Sequence, residues 1–392
     1  MAFLDIRFTS LDFSSMSQNF QRPLFRIDNP SYDRTGGEAY PIIGGVVLGL
    51  TAPMLWSTSG YIQWAYATEA EKGLYISLQY FINQVGSAVG SLIAFIIILK
   101  GANTTDGSPT PVYIAFIVLM CVAFIFTFFG LVQPSKVRRA DGTAIAIFHN
   151  PTWKEEFLGV REVLREWRVR LMCIVMFSCE LPLAIIPSMN GAYFNLRTRA
   201  MNPIIFYLLA LPSTWIVTYL TDKSAKDRKT RGIYAVTWVS FLVLGCWIPF
   251  ISWISVSNTF KNPPTGGVDW TDTEHFAGPF VIYLLFGILF TCHQLVGMWV
   301  LGTFSNDPRV AAIYGGLWKG IAGLGLAVFF GIAAAKVPFR YVHRSRCGDR
   351  NSPDSVRNQA IAAMCLQVLS LPILFVMVMK YCTDTNYGHE GE

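Results

Sequence analysis

The sequence predicts an all-α membrane protein with about nine spanning helices, and three observations predict it. Charged residues make up only 14% of the 392 residues and hydrophobic ones 53%, against roughly 25% charged in a soluble domain. The apolar excess is gathered into uninterrupted strings of about 20 residues, the length that crosses a bilayer at a rise of 1.5 Å per residue. Aromatic residues reach 14%, with 11 Trp and 29 Phe, as where rings line helix contacts and membrane interfaces.

Residues 1–39 are read as a polar, disordered extension. They have no basic start followed by an apolar run, because Asp5, Arg7 and Asp12 interrupt it, so no cleavable signal peptide is expected and the first apolar helix serves as the insertion signal. Three spans follow, at 40–66, 73–99 and 111–132, forming one block over 40–132. The strings are too long for strands, and the period-two alternation of a membrane barrel does not appear.

Residues 133–169 read as a cytoplasmic loop. Within it Trp153, Phe157, Val160, Leu164 and Trp167 share one helical face, and Asn150-Pro151 supplies a helix start. The expected element is an amphipathic helix on the inner membrane surface. A second block, 170–380, holds six spans, at 170–189, 200–221, 232–255, 277–304, 311–335 and 356–379. Residues 381–392 form a polar tail.

Lys and Arg in short loops set the orientation. The loop after the third span is strongly basic, and so is the loop from Asp222 to Arg231 after the fifth; an even number of spans separates them, so both are placed in the cytoplasm. Asn103-Thr104-Thr105 then falls outside, where a glycosylation sequon belongs. The basic residues Lys336, Arg340, Arg344, Arg346 and Arg350 run against this assignment.

The net charge of +6 is distributed as topology signals, so no nucleic-acid partner is expected; the partner is membrane lipid. Of the 8 Cys, most fall inside apolar strings without CxxC pairs, as small packing residues do. No metal site, cofactor or enzymatic activity is expected: HExxH, Gly-x-Ser-x-Gly and phosphate-cradling loops are all missing.

Ionisable groups inside apolar helices carry the functional signal, since each is costly in lipid and faces a cavity or a partner. Glu180 lies near the centre of its span and is the leading candidate for a proton or cation site. His293 reads either as a neutral, hydrogen-bonded bundle residue or as part of a path. Lys319 either snorkels to the interface or pairs with Glu180. Pro182 and Pro187 are expected to kink the helix that carries Glu180 and free carbonyls for a ligand. Glycines at four-residue spacing, Gly45 and Gly49, Gly86 and Gly90, Gly316 and Gly320, predict close helix contacts.

Three blocks of sequence go further. Gly49-Leu-Thr-Ala52, Leu55-Trp56-Ser57, Gly60, Tyr61 and Tyr66 run into Glu69-x-x-Lys72-Gly73, then Asn83, Gly86 and Gly90. Asn190-Gly-Ala-Tyr-Phe-Asn-Leu-Arg197-Thr-Arg199-Ala-Met-Asn202 is the second. Trp299 to Gly302, Ser305-Asn-Asp-Pro308 and Gly316-Leu-Trp-Lys319-Gly320 form the third. Together, in this order, they resemble the uncoordinated-93-like proteins, especially the fungal branch, within the major facilitator superfamily. The resemblance implies a bundle of two six-helix halves with the solute path between them, and a transporter of an unknown small solute working by alternating access. Alternatively it implies a regulator of ion channels or trafficking that binds partner membrane proteins, or a truncated inactive form. It adds Gln294, Asn83 and Asn190 to the path candidates, and it makes Asp222 with Arg228 resemble the superfamily's inner-loop latch, though the usual glycines of that motif are missing. Phe290 stands where an acidic residue is common. The three spans before the loop match the last three of a first half, so the first three helices are expected to be lacking.

Overall fold

A computed structural model describes residues 43–46, 49, 56, 58–60, 62–64, 66–100, 110–130, 153–257, 266–336 and 353–383. Residues 1–39, most of the first expected span, the sequon at Asn103, the helix start at Asn150-Pro151, Arg340 to Arg350 and the tail from 384 lie outside them.

Among the described residues the named elements are all helices. They are α1 Lys72–Lys100, α2 Thr110–Gly130, α3 Trp153–Arg165, α4 Trp167–Cys179, α5 Leu181–Tyr193, α6 Leu196–Thr218, α7 Arg228–Val256, α8 Thr273–Gly302, α9 Pro308–Lys336 and α10 Pro353–Tyr381. Residues 56, 58–60 and 62–64, which precede α1, are helical. Among the described residues seven helical stretches are long and apolar enough to cross a membrane, with α4 and α5 counted as one stretch and a π-helical turn, Tyr219–Lys223, extending α6. α2 is an eighth apolar helix of 21 residues. Its Ile114, Ile117, Val118, Val122 and Ile125 all point outward. In water such a surface would aggregate; in lipid it is satisfied, and the closed helical backbone leaves no polar group unmet. The protein is an integral, multi-pass membrane protein.

The bundle is organised around α8, whose residues Leu289 to Gly302 are buried without a break. α1 lies along α6 and also touches α8; α7 and α10 flank α8 on another side, and α4 packs on α9 and α10. Where backbones cross closely, glycine is required. A Cβ on Gly60 would meet Gly315 Cα at 2.6 Å, and one on Gly302 would run into the Trp64 indole. Of the expected glycines, Gly45, Gly49 and Gly320 are not at such crossings: a Cβ on any of them would meet nothing within 4 Å. Four-residue spacing marks a face that permits close approach, and the partner's position decides which glycine uses it.

Two other expected elements gain detail. The span expected at 170–189 is two helices broken at Glu180, whose backbone adopts φ −100°, ψ 0°. The amphipathic helix α3 turns Val163 fully, and Val160 and Leu164 partly, onto the bundle, leaving Phe157 at 72% exposure. It ends before Trp167 because Glu166 is extended, at φ −64°, ψ 122°. Trp167 starts α4 instead and meets Tyr381 edge-on.

Candidate functional site

The break at Glu180 follows from Pro182. A helical Pro182 would need an N–H to donate to the Ser178 carbonyl four residues back, and proline has none. That carbonyl is taken by the Gln367 amide of α10, Nε2 to O 3.1 Å. The same Gln367 accepts from the Trp247 indole at 2.6 Å and lies 3.2 Å from His293 Nδ1. His293 Nε2 lies 3.1 Å from Ser370 Oγ, which itself donates to the Gln367 carbonyl. The donors dictate the assignment. The indole N–H requires Gln367 Oε1, so Nε2 faces Ser178 and His293. Nδ1 then accepts, and His293 carries its proton on Nε2 as a neutral ring.

The turn released by Pro182 holds Glu180 inside the bundle. Its Oε1 accepts from Lys319 Nζ of α9 and from Gln294 Nε2 of α8, each at 2.7 Å. The two charged side chains keep only 12% and 9% of their surface. Gln294 Oε1, in turn, accepts from Tyr80 O–H of α1 at 2.7 Å and Trp318 N–H at 3.0 Å, with Lys319 Nζ at 3.5 Å. The Lys319 ammonium also sits over two aromatic faces, 4.2 Å from the Trp56 ring centroid and 5.5 Å from that of Tyr80. One buried ion pair is thereby enclosed by residues from both helix blocks: Trp56 and Tyr80 from the first, Glu180, Gln294, Trp318 and Lys319 from the second. One turn beyond Tyr80, Gln84 donates to Thr291 at 2.9 Å. Gln84 Oε1 and Asn83 Oδ1 are buried without a hydrogen-bond partner.

The remaining expected residues fall at the two ends. At one, Asp222 caps the start of α1, accepting from the backbone N–H of Gly73 at 3.2 Å and of Leu74 at 2.7 Å. Its own carbonyl accepts from Arg231 at 2.8 Å. Arg228 is buried and donates to the Thr383 carbonyl at 3.5 Å. Lys72 clamps the end of α8, donating to Gly302 O at 2.6 Å, Ser305 O at 3.2 Å and Asn306 Oδ1 at 2.7 Å. Both contacts place a charge on the helix end of opposite partial charge. Glu69 opens a short 3-10 turn before Lys72.

At the other end the residues of the Asn190–Asn202 motif bond to one another and to Asp269. Asn202 donates to Asn190 at 2.8 Å, and Asn190 to the Arg199 carbonyl at 3.1 Å. Arg199 returns to Gly191 O at 3.3 Å. Arg197 and Asn195 both donate to Asp269, at 2.7 and 2.5 Å, and the Arg197 guanidinium lies 4.7 Å from the Trp270 ring centroid. Hydrogen bonds from Arg197 first, then from the Thr271 backbone and Asn195, hold the Asp269 carboxyl well below the usual carboxylate range. Asn190 lies in this cluster, away from the ion pair. Among the described residues no group of three or more His, Cys, Asp or Glu side chains could hold a metal ion.

Sequence reasoning confined to ionisable groups passed over Gln367, Gln84 and Thr291. Amide side chains inside apolar helices were the available signal for the first two. Tyr80, Trp318 and Ser370 carry none, being ordinary in such helices.

The sequence has clear relatives. The chain is 32% identical over 308 residues to an uncharacterised membrane protein of Schizosaccharomyces pombe, covering 79% of this chain and 62% of that one. It is 25% identical over 357 residues to UNC93-like protein 1 of Arabidopsis thaliana, covering 91% of this chain and 73% of that one. An UNC93-like protein of S. pombe is 28% identical over 314 residues, covering 79% and 61%. The chain is thus similar to UNC93-like proteins of A. thaliana and S. pombe. No family model matches it. Among solved structures, the Escherichia coli fucose:proton symporter FucP superposes with a TM-score of 0.55 over 96% of this chain and 83% of that one, at 9% identity. A FucP structure in the outward conformation gives 0.53. These likenesses concern the fold: the chain has an all-helical bundle of the major facilitator type. It spans about 62% of the length of the S. pombe membrane protein that it matches.

Proposed function

We propose that the protein is a secondary transporter of a small solute, working by alternating access, and that the Glu180–Lys319 pair is the element whose opening and closing couples solute binding to helix movement. The observation that carries this reading is the pair itself, joined at 2.7 Å and closed over by Trp56 and Tyr80 of one block and Gln294 of the other. Breaking a buried pair by removing one partner costs about 3–5 kcal/mol. Separating the blocks strips Trp56 and Tyr80 from the pair and opens it to a solute or proton, which must supply a new partner to whichever charge it parts from the other and is therefore bound in the same step. The broken helix beside the pair gives a hinge, and Asp222 and Lys72 clasp helix ends across the blocks at one face.

The test is reconstitution into proteoliposomes with an imposed pH gradient, followed by uptake of labelled amines, amino acids, sugars and nucleosides. Wild-type protein is expected to accumulate one class, and Glu180→Gln to lose most of that uptake while keeping the folded bundle. Absence of uptake for every class, together with stoichiometric co-purification of another membrane protein, would replace this reading with that of a non-transporting regulator.

A further inference from the structure

We infer that the pocket around Lys319 Nζ is an ammonium-binding site that the protein's own lysine occupies in this conformation, and that the solute is an alkylammonium cation which takes the lysine's place. This rests on the transport reading and names the solute class for that same site.

The argument is in what surrounds the nitrogen. A carboxylate oxygen lies 2.7 Å away and an amide oxygen 3.5 Å away. Two aromatic faces lie at 4.2 and 5.5 Å to their centroids. Acceptors on one side and π-faces on the other are the features that recognise a free ammonium, and all four belong to residues other than Lys319. They remain if the lysine withdraws. Its four-carbon stem is flexible, and its side chain retains 12% exposure, so the pocket is not sealed behind it. An anion is the wrong occupant. The Lys319 cation is already neutralised by Glu180, and the faces of Trp56 and Tyr80 repel negative charge. A neutral sugar would leave the carboxylate without a counter-charge once Lys319 departed, which is the costly state for a buried ion.

Chemical rescue tests this on the full chain in detergent. Lys319→Ala leaves the pocket intact and empty of its tethered amine. Millimolar n-butylammonium chloride is expected to restore most of the thermal stability the substitution removes and to change the fluorescence of the neighbouring tryptophans. Sodium chloride at equal ionic strength is expected to do neither. In the Glu180→Gln/Lys319→Met double variant, where the carboxylate charge is gone, n-butylammonium should have no effect. Equal responses to the two salts, or rescue that persists in the double variant, overturn the proposal. If Lys319→Ala does not accumulate, its yield in cells grown with n-butylammonium against sodium chloride is the same test, and no gain in yield overturns it. Rescue without any uptake into proteoliposomes keeps the ammonium site and removes the transporter. Uptake of a neutral or anionic solute without rescue does the reverse.

Discussion

Asp222 occupies the space that any side chain at position 73 would need. Its carboxylate accepts from the Gly73 and Leu74 N–H groups, and a Cβ built on Gly73 would collide with Asp222 and with Thr221. Cap and glycine are thus two halves of one contact. Asp222→Ala should cost about 0.5–2 kcal/mol, as loss of a helix cap does. Gly73→Ala should destabilise the wild type more than it destabilises Asp222→Ala, because the second background has removed one of the clashing groups. Thermal melts of the four proteins in detergent give the comparison; strict additivity would argue against a shared contact.

The ion pair makes a second non-additive set. Lys319→Met strands the Glu180 carboxylate among Gln294, Tyr80 and Trp318 and should cost about 3–5 kcal/mol. The double variant Glu180→Gln/Lys319→Met, with neither charge, should recover most of that. Denaturation midpoints that fall further in the double variant than in the single one would show that the pair is not the source of the cost.

Gln367 is predicted to stand in for the hydrogen bond that Pro182 omits. Gln367→Leu leaves the Ser178 carbonyl, the Trp247 indole and His293 with one partner fewer, at about 1–3 kcal/mol for each buried group left unmet. Pro182→Ala in that background supplies an N–H to Ser178 and should win back part of the loss. In the wild type the same change competes with Gln367 and should stabilise little. Amide exchange over 176–184 reports whether the helix closes across Glu180.

Acidity acts at the opposite end of the bundle. The native Asp269 carboxyl is held below its ordinary value, chiefly by Arg197, so the unfolded chain binds its proton first as the pH falls. The clasp therefore contributes fully above the ordinary carboxylate value of about 3.9 and is lost progressively as pH drops through that value toward the native one. Hydrogen exchange around 194–198 and 266–271 should be unchanged by clasp chemistry between neutral pH and about pH 5, and should rise below about pH 4. Asp269→Asn should exchange faster than wild type at neutral pH and lose this acid step. An acid step that survives in Asp269→Asn would place the titration elsewhere.

How much of this was legible in the residues varies by element. Glu180, Lys319 and His293 stand out in one dimension, because a charge or an imidazole inside an apolar string is rare. So does a break near Glu180, since Pro182 lies two residues on. What stayed hidden were contacts between elements far apart in the chain: Tyr80 with Gln294, Gln367 with Ser178, and Gly60 with Gly315.

The sequence by itself determined that this is a helical, membrane-embedded bundle. Lipid offers the backbone no hydrogen bonds, so a long apolar string must close its own. Only the tertiary structure decided that Lys319 turns inward to Glu180 rather than out to the interface, and that the pair is closed over by Trp56 and Tyr80. Which of two compatible rotations a helix adopts is set by packing against its neighbours, and that information is held in no single segment.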